Sequence, residues 1–228
     1  MDKTVTGVTS MAADKILGAL GQEFAARNGT GVTFAMMGGV VAARRVREGL
    51  VTDIVALASD VVHAMEIEGY VVPGTRVDYA RSGIALAVPV GAPRPDISTE
   101  DAVRAAMLAA KCVGYSTGPS GVYIQTVWKR WGVAPRSVEA PPAVPVASLL
   151  ARGDADLGLQ QLSELMGQPG IDIVGPLPEP IQKITVFSAA VSTTSLDPEA
   201  AMAFLRFLGS SDAHATIEKF GMAPFGKR

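Results

Sequence analysis

The 228-residue chain has one cysteine, Cys112, and two histidines, His63 and His214. A single cysteine excludes an intramolecular disulfide and any cysteine metal cluster. Between Ala110 and Val113 it reads as a small buried side chain. The histidines lie far apart and neither has a metal-ligand spacing such as H-x-x-x-H, so no metal is expected. No apolar run approaches the roughly 20 residues of a membrane span. There is no block of like charges, no heptad array and no repeat at a solenoid period. With a formal net charge of −2, no basic field recruits nucleic acid. The first residues, Met-Asp-Lys-Thr-Val-Thr-Gly, lack the basic-then-apolar layout of a signal peptide. With Met1 native the expectation is a cytoplasmic protein; it is periplasmic if Met1 stands in place of a removed leader.

What is present suits a compact globule: 48% hydrophobic and 18% charged residues, over a length that fits one large domain or two lobes. Val5 to Val8 is short and β-branched and reads as a first strand, and Ser10 is placed to cap a helix carrying Ile16, Leu17, Leu20 and Phe24 at helical spacing. Val32 to Met36 reads as a strand, Gly38-Gly39 as a turn into a helix, and Asp53 to Ala58 as a buried parallel strand leading into a helix from Ser59. This alternation predicts an α/β fold. A strand over Tyr79 to Val90 leaves the first lobe, and Ser98 with Asp101 predicts a capping box for the helix that follows. Further on, Asp156 to Leu159, Ile171 to Val174 and Thr185 to Val191 read as strands, and two helices close the chain.

Tyr115-Ser116-Thr117-Gly118-Pro119-Ser120-Gly121 reads as a strand end, a glycine-rich turn and a helix start. A helix start carries unpaired N–H groups and partial positive charge, which suit an oxyanion. Ser116, Thr117 and Ser120 add hydroxyl donors, and Gly121 opens the backbone. The same strand-to-helix shape recurs at Ser10-Met11 and at Gly38-Gly39-Val40, with Gln160, Gln161 and Ser163 in a fourth such turn. In open α/β sheets ligands bind outside the carboxyl ends of the strands, where these turns lie. Each stretch also has a plainer reading, a capped turn or, for the glutamines, a solvated surface.

Several of these stretches resemble the type II periplasmic-binding-protein fold, in its molybdate-binding-like branch, over nearly the whole chain. The resemblance is carried by Val8-Thr9-Ser10-Met11-Ala12, Met37-Gly38-Gly39-Val40, Gly118-Pro119-Ser120-Gly121-Val122-Tyr123, Arg152-Gly153-Asp154-Ala155-Asp156-Leu157-Gly158 and the run from Ala201 to Met222. It implies a two-lobed α/β protein with a ligand cleft between lobes: residues 1–82 with 188–228 in lobe 1, and residues 83–187 in lobe 2. The second turn has no hydroxyl, and the family's binding tyrosine is replaced around Gln161. Thr9-Ser10-Met11-Ala12, Gln160-Gln161-Leu162-Ser163-Glu164-Leu165 and Gly175-Pro176-Leu177-Pro178 are similar to a sub-branch that includes aconitate isomerase.

That sub-branch implies allylic proton transfer on aconitate or a similar unsaturated polycarboxylate, without a cofactor. The base candidates are Glu164 and Tyr115; Glu164 needs its pKa raised modestly, Tyr115 needs a large fall. The helix starts and Arg45 would hold the carboxylates. The alternative is a non-catalytic substrate-binding protein for an organic anion or a molybdate-like oxyanion, partnered by an ABC permease.

Overall fold

The computed structural model describes residues 4–226, so Met1, on which the leader expectation turns, lies outside the described residues. The chain divides into two compact units: one runs to Arg81 and resumes at Thr185, the other is Ser82–Ile184.

The first unit begins with three strand–helix repeats. β1 (Thr4–Thr9) leads to α1 (Met11–Asn28), β2 (Gly31–Met36) to α2 (Gly39–Arg47), and β3 (Ile54–Ala58) to α3 (Ser59–Ile67), before β4 (Val77–Ser82). α1 stops at Gly29, whose φ of 71° places its N–H on the Ala25 carbonyl, a left-handed cap that glycine adopts without penalty.

The second unit holds β5 (Ile84–Pro89), α4 (Glu100–Ala109), β6 (Val113–Tyr115), α5 (Pro119–Trp131), β7 (Ser137–Glu139), α6 (Val146–Arg152), β8 (Leu157–Gln161), α7 (Leu162–Leu165) and β9 (Ile171–Pro176). Its sheet runs β7-β6-β8-β5-β9, with β6 parallel to both β7 and β8 and with β5 antiparallel to β8 and β9. Ile84, Leu86, Ile124, Trp128 and Leu159 form part of its core.

The chain then returns to the first unit as β10 (Thr185–Val191), α8 (Pro198–Leu208), α9 (His214–Lys219) and β11 (Ala223–Pro224). The first sheet has the order β11-β4-β10-β3-β1-β2. β1 is parallel to β2 and β3, whereas β10 is antiparallel to β3. The helical stripe of α1 packs on α8: Ile16, Leu17, Leu20 and Phe24 share a core with Phe204, Leu205 and Leu208, and the Phe24 and Phe204 rings meet edge to face at 5.3 Å. Burying each such side chain contributes about 1.5–3 kcal/mol.

Two local expectations change. The run from Tyr79 to Val90 is two strands, because Gly83 interrupts it and sends β4 and β5 into different sheets. α4 is capped by Thr99, whose hydroxyl accepts from the Ala102 N–H at 3.1 Å. Ser98 instead donates its N–H to Asp96 Oδ1 at 2.9 Å, so the expected Ser98–Asp101 box does not form. The glutamines end β8, and Gln161 is the N-cap of the short α7 that follows, so the fourth strand-to-helix turn forms.

Asp53 ties the first unit together. Its Oδ2 accepts from the Thr6 N–H and hydroxyl, both at 2.9 Å. Its Oδ1 accepts from the Ser195 hydroxyl at 2.8 Å, the Leu196 N–H at 2.9 Å and the Asp197 N–H at 3.1 Å. Burial alone would push this carboxyl up; the donors from Thr6, Ser195 and Asp197 outweigh it and hold it at about 2. A depressed carboxyl stabilises the fold above the unfolded pKa, near 4, and that contribution is lost as pH falls toward 2. Asp53→Asn is therefore expected to lose about 2 kcal/mol at pH 7 by urea denaturation, from a shift of about two units, and the gap to the parent should close between pH 4 and pH 2. A gap independent of pH over that range would show that the carboxylate charge is not what matters.

Candidate functional site

In the first unit, parallel pairing of β1 with β2 and β3 brings three strand ends side by side, with Thr9 opposite Met36 and Ala56. The Met37 N–H donates to the Thr9 carbonyl at 3.0 Å and continues the ladder into the turn. Ser10 takes the N-cap position of α1, yet its hydroxyl makes no capping bond. A Cβ built on Gly39 would lie 3.7 Å from that of Ser10, so the two helix starts adjoin. Met11, Gly38 and Gly39 are half-buried, and Val40 is exposed. Here a hydroxyl and two sets of unpaired helix amides stand together, a receptive place for an anion.

Arg45 is not brought to these turns. It lies in the last turn of α2, six residues past Gly39, or roughly 9 Å along the axis, and its Nη1 is 3.7 Å from Glu48 in an exposed pair. The third helix start of this unit is taken by an internal anion that the sequence reading missed. Ser59 Oγ donates to Asp78 Oδ1 at 3.3 Å, the Ser188 hydroxyl donates to the same oxygen, and Arg76 Nη1 donates to Ser59 Oγ at 3.1 Å. Ser59 opening a helix was the one visible signal; Asp78 reaches it from β4.

In the second unit, β6 and β8 are parallel neighbours with Tyr115 opposite Leu159. Ser116 and Thr117 therefore follow β6 on the side where Gln160 and Gln161 end β8. The turn after β6 is tight: a Cβ on Gly121 would stand 1.7 Å from the Ser116 carbonyl oxygen, so only glycine fits. Ser116 and Ser120 are both buried, with their hydroxyls 3.0 Å apart. One of the two protons serves that bond and the other remains to be donated. Thr117 is exposed.

The glutamine turn is not a solvated surface: Gln160, Gln161 and Ser163 are 0%, 4% and 8% exposed. Gln160 Oε1 accepts from the Val146 N–H at 2.8 Å. Gln160 Nε2 and Ser163 Oγ are buried without a hydrogen-bond partner. Buried donors are seldom left so, and an external acceptor is one way to satisfy two of them in one turn.

Glu164 belongs to the same turn. Burial pushes its carboxyl up to about 7, against the opposing pull of the Gln160 side-chain amide and the Gln161 backbone N–H. Gln161 is the N-cap of α7 and Glu164 its third residue, so the carboxyl curls back over the strand end as in a capping box. Tyr115 moves the other way from a base. Burial, then the Glu139 carboxylate opposite it on β7, raise the phenol, whereas a phenolate base needs a fall. Its ring instead packs edge to face on Trp128 at 5.4 Å. The Glu164 carboxyl is thus held near neutrality, and the Tyr115 ring packs on Trp128.

A raised carboxyl pKa destabilises the fold as pH climbs from about 4.5 through about 7, because the folded state holds its proton longer than the unfolded chain. Glu164→Gln removes that ionisation and should melt above the parent at pH 8, by up to about 3 kcal/mol for a shift of this size. The two should converge near pH 5. A variant that melts below the parent at pH 8 would make Glu164 a structural cap.

The sequence model of bacterial extracellular solute-binding proteins matches residues 5–223. An aconitate isomerase from Pseudomonas sp is 43% identical over 176 residues, which cover 75% of this chain and 67% of that protein. The periplasmic molybdate-binding protein of Azotobacter vinelandii superposes with a TM-score of 0.80 at 20% identity, covering 96% of this chain and 98% of that one. The tungstate ABC transporter structure from Geobacter sulfurreducens gives 0.73 at 15% identity, over 95% and 98% of the chains. At these identities the structures speak for the fold alone. The chain belongs to the bacterial extracellular solute-binding protein family and has the α/β fold of the type II periplasmic binding proteins.

Proposed function

We propose that the chain is an isomerase of aconitate, or of a closely similar unsaturated tricarboxylate, working by allylic proton transfer. The observation that carries this is Glu164, a half-buried residue whose carboxyl is held near neutrality in one turn with the buried Gln160 and Ser163. The 43% identity to the Pseudomonas aconitate isomerase supports it.

Allylic transfer needs one base and a set of anion donors. The Glu164 carboxylate takes a proton from the methylene carbon of trans-aconitate. The electron pair spreads over the three-carbon allyl unit and its carboxylates. The protonated Glu164 returns the proton to the far allylic carbon, which moves the double bond and yields the cis isomer. Atoms and electrons balance with no redox partner.

Ser116, Thr117, Ser120, Gln161, Ser163 and the backbone of Gly121 are the donors on the reacting side. In the first unit, Ser10, Met11, Gly38, Gly39 and Val40 are a set of anion donors of the same kind. Neither Tyr115 nor Arg45 has a part in the step.

The family favours a second reading, a receptor that binds an organic anion or oxyanion in the periplasm and passes it to an ABC permease. Incubation with trans-aconitate, followed by NMR, separates the two. Appearance of the cis isomer is expected, with kcat/KM rising through about pH 7 as Glu164 ionises and with Glu164→Gln slower by roughly 100-fold or more. Tight binding without conversion would leave a receptor. A larger thermal shift with molybdate than with any carboxylate would overturn the isomerase.

A further inference from the structure

Ile84 opens β5, and the pairing of β5 with β9 stops one residue short of it, at Ala85 and Pro176. A side chain takes the place of the missing strand neighbour. Gln182 Oε1 accepts from the Ile84 N–H at 2.7 Å, and Gln182 Nε2 donates to the Ile84 carbonyl at 3.0 Å. The same amide accepts from the Lys183 N–H at 3.0 Å and donates to the Leu177 carbonyl at 3.1 Å. Both lone pairs and both protons of the amide are thereby used, and a flipped amide would set donors against donors. A Cβ built on Gly83 would stand 3.0 Å from the Gln182 amide carbon, oxygen and nitrogen, so a larger residue there would crowd the amide.

The Ile84 N–H shares its peptide group with the Gly83 carbonyl, and the two point opposite ways from one rigid plane. On the far side that carbonyl accepts from the Leu162 N–H at 2.9 Å. Gln182 thus reaches Leu162 through a single planar group with a hydrogen bond on each side, an arrangement in which each bond polarises the other. Leu162 is the first residue of α7, and Ile84 lies opposite Gln161, the N-cap of that helix. α7 has only four residues, so its own hydrogen bonds do little to fix it, and it depends on β5 and β8, on which it packs. On the reading of α7 as the element that carries the base, we infer that Gln182 is a positioning residue for it: by fixing the Gly83–Ile84 peptide, it holds the start of the turn that presents Ser163 and Glu164. A residue that only closed the edge of β5 would leave no trace at Leu162.

The test is amide hydrogen exchange by NMR, without ligand, in the parent and in Gln182→Met, which keeps the length and removes both partners of Ile84. Exchange at Leu162 is expected to quicken about tenfold relative to Val113 in β6, the worth of one neutral hydrogen bond. The kcat/KM for trans-aconitate should fall by about tenfold with it, because the base is displaced. Unchanged exchange at Leu162 overturns the proposal, even where Ile84 and Leu177 exchange faster. So does faster exchange at Leu162 with kcat/KM as in the parent. Should Gln182→Met fail to fold, Gln182→Glu decides: it keeps the length and an oxygen for the Ile84 N–H, and at pH 8 its carboxylate has no proton for the Ile84 and Leu177 carbonyls. Faster exchange at Leu162 than in the parent at that pH is expected, and equal exchange overturns the proposal. Where the parent itself does not convert trans-aconitate, the isomerase reading fails, and exchange at Leu162 still decides the role of Gln182.

Discussion

A carboxylate can leave water only as far as other donors replace it, and Asp53 shows that replacement completed. Five donors from Thr6, Ser195, Leu196 and Asp197 surround its two oxygens. The charge is thereby stabilised, and two separate stretches of the first unit are pinned to one side chain. Glu164 shows the opposite balance. It is also taken out of water, but only an amide side chain and one backbone N–H act on it, and burial wins. The same residue chemistry gives an ionised structural anchor in one unit and a carboxyl held near neutrality in the other, and the difference lies in the number of donors.

The α/β order was legible because each strand–helix repeat announces itself locally. The helical spacing from Ile16 to Phe24, the apolar run from Ile54 to Ala58 and the glycines after strands all act within a few residues. The donor turns at Ser10, Gly38-Gly39 and Ser116–Gly121 were legible for the same reason. What escaped was decided at a distance. Polar Gln160 and Gln161 look like surface residues until β5 and β6 enclose β8 on both sides and Val146 supplies an N–H from 14 positions upstream. Asp78 fills the third helix start from 19 positions beyond Ser59. The Tyr115 phenol is raised by its burial and by Glu139, which approaches it only through the β6–β7 pairing. Ser98 lost its cap to the adjacent Thr99, a choice between neighbouring residues that pattern alone does not make.

Proteins that bind molybdate or tungstate share this architecture at 20% identity or less. The sheets set where strand ends fall and what an anion would find there in general terms. The ligand and any chemistry depend on a few side chains added at those ends. Here those additions are amide and hydroxyl groups together with one carboxyl, and the fold itself does not specify them.

The sheet order of the first unit also bears on how the chain is made. β4 is flanked by β10 and β11, both of which follow the whole second unit in sequence. During synthesis β4 leaves the ribosome with neither neighbour available, and Asp53 waits just as long for Ser195 to Asp197. The second unit, contiguous from Ser82 to Ile184, has all its strands at hand much earlier. Domains are usually completed from the N-terminus onward; in this chain the part begun first is closed last, and its half-finished sheet edge is the stretch most in need of shielding until the C-terminal helices arrive.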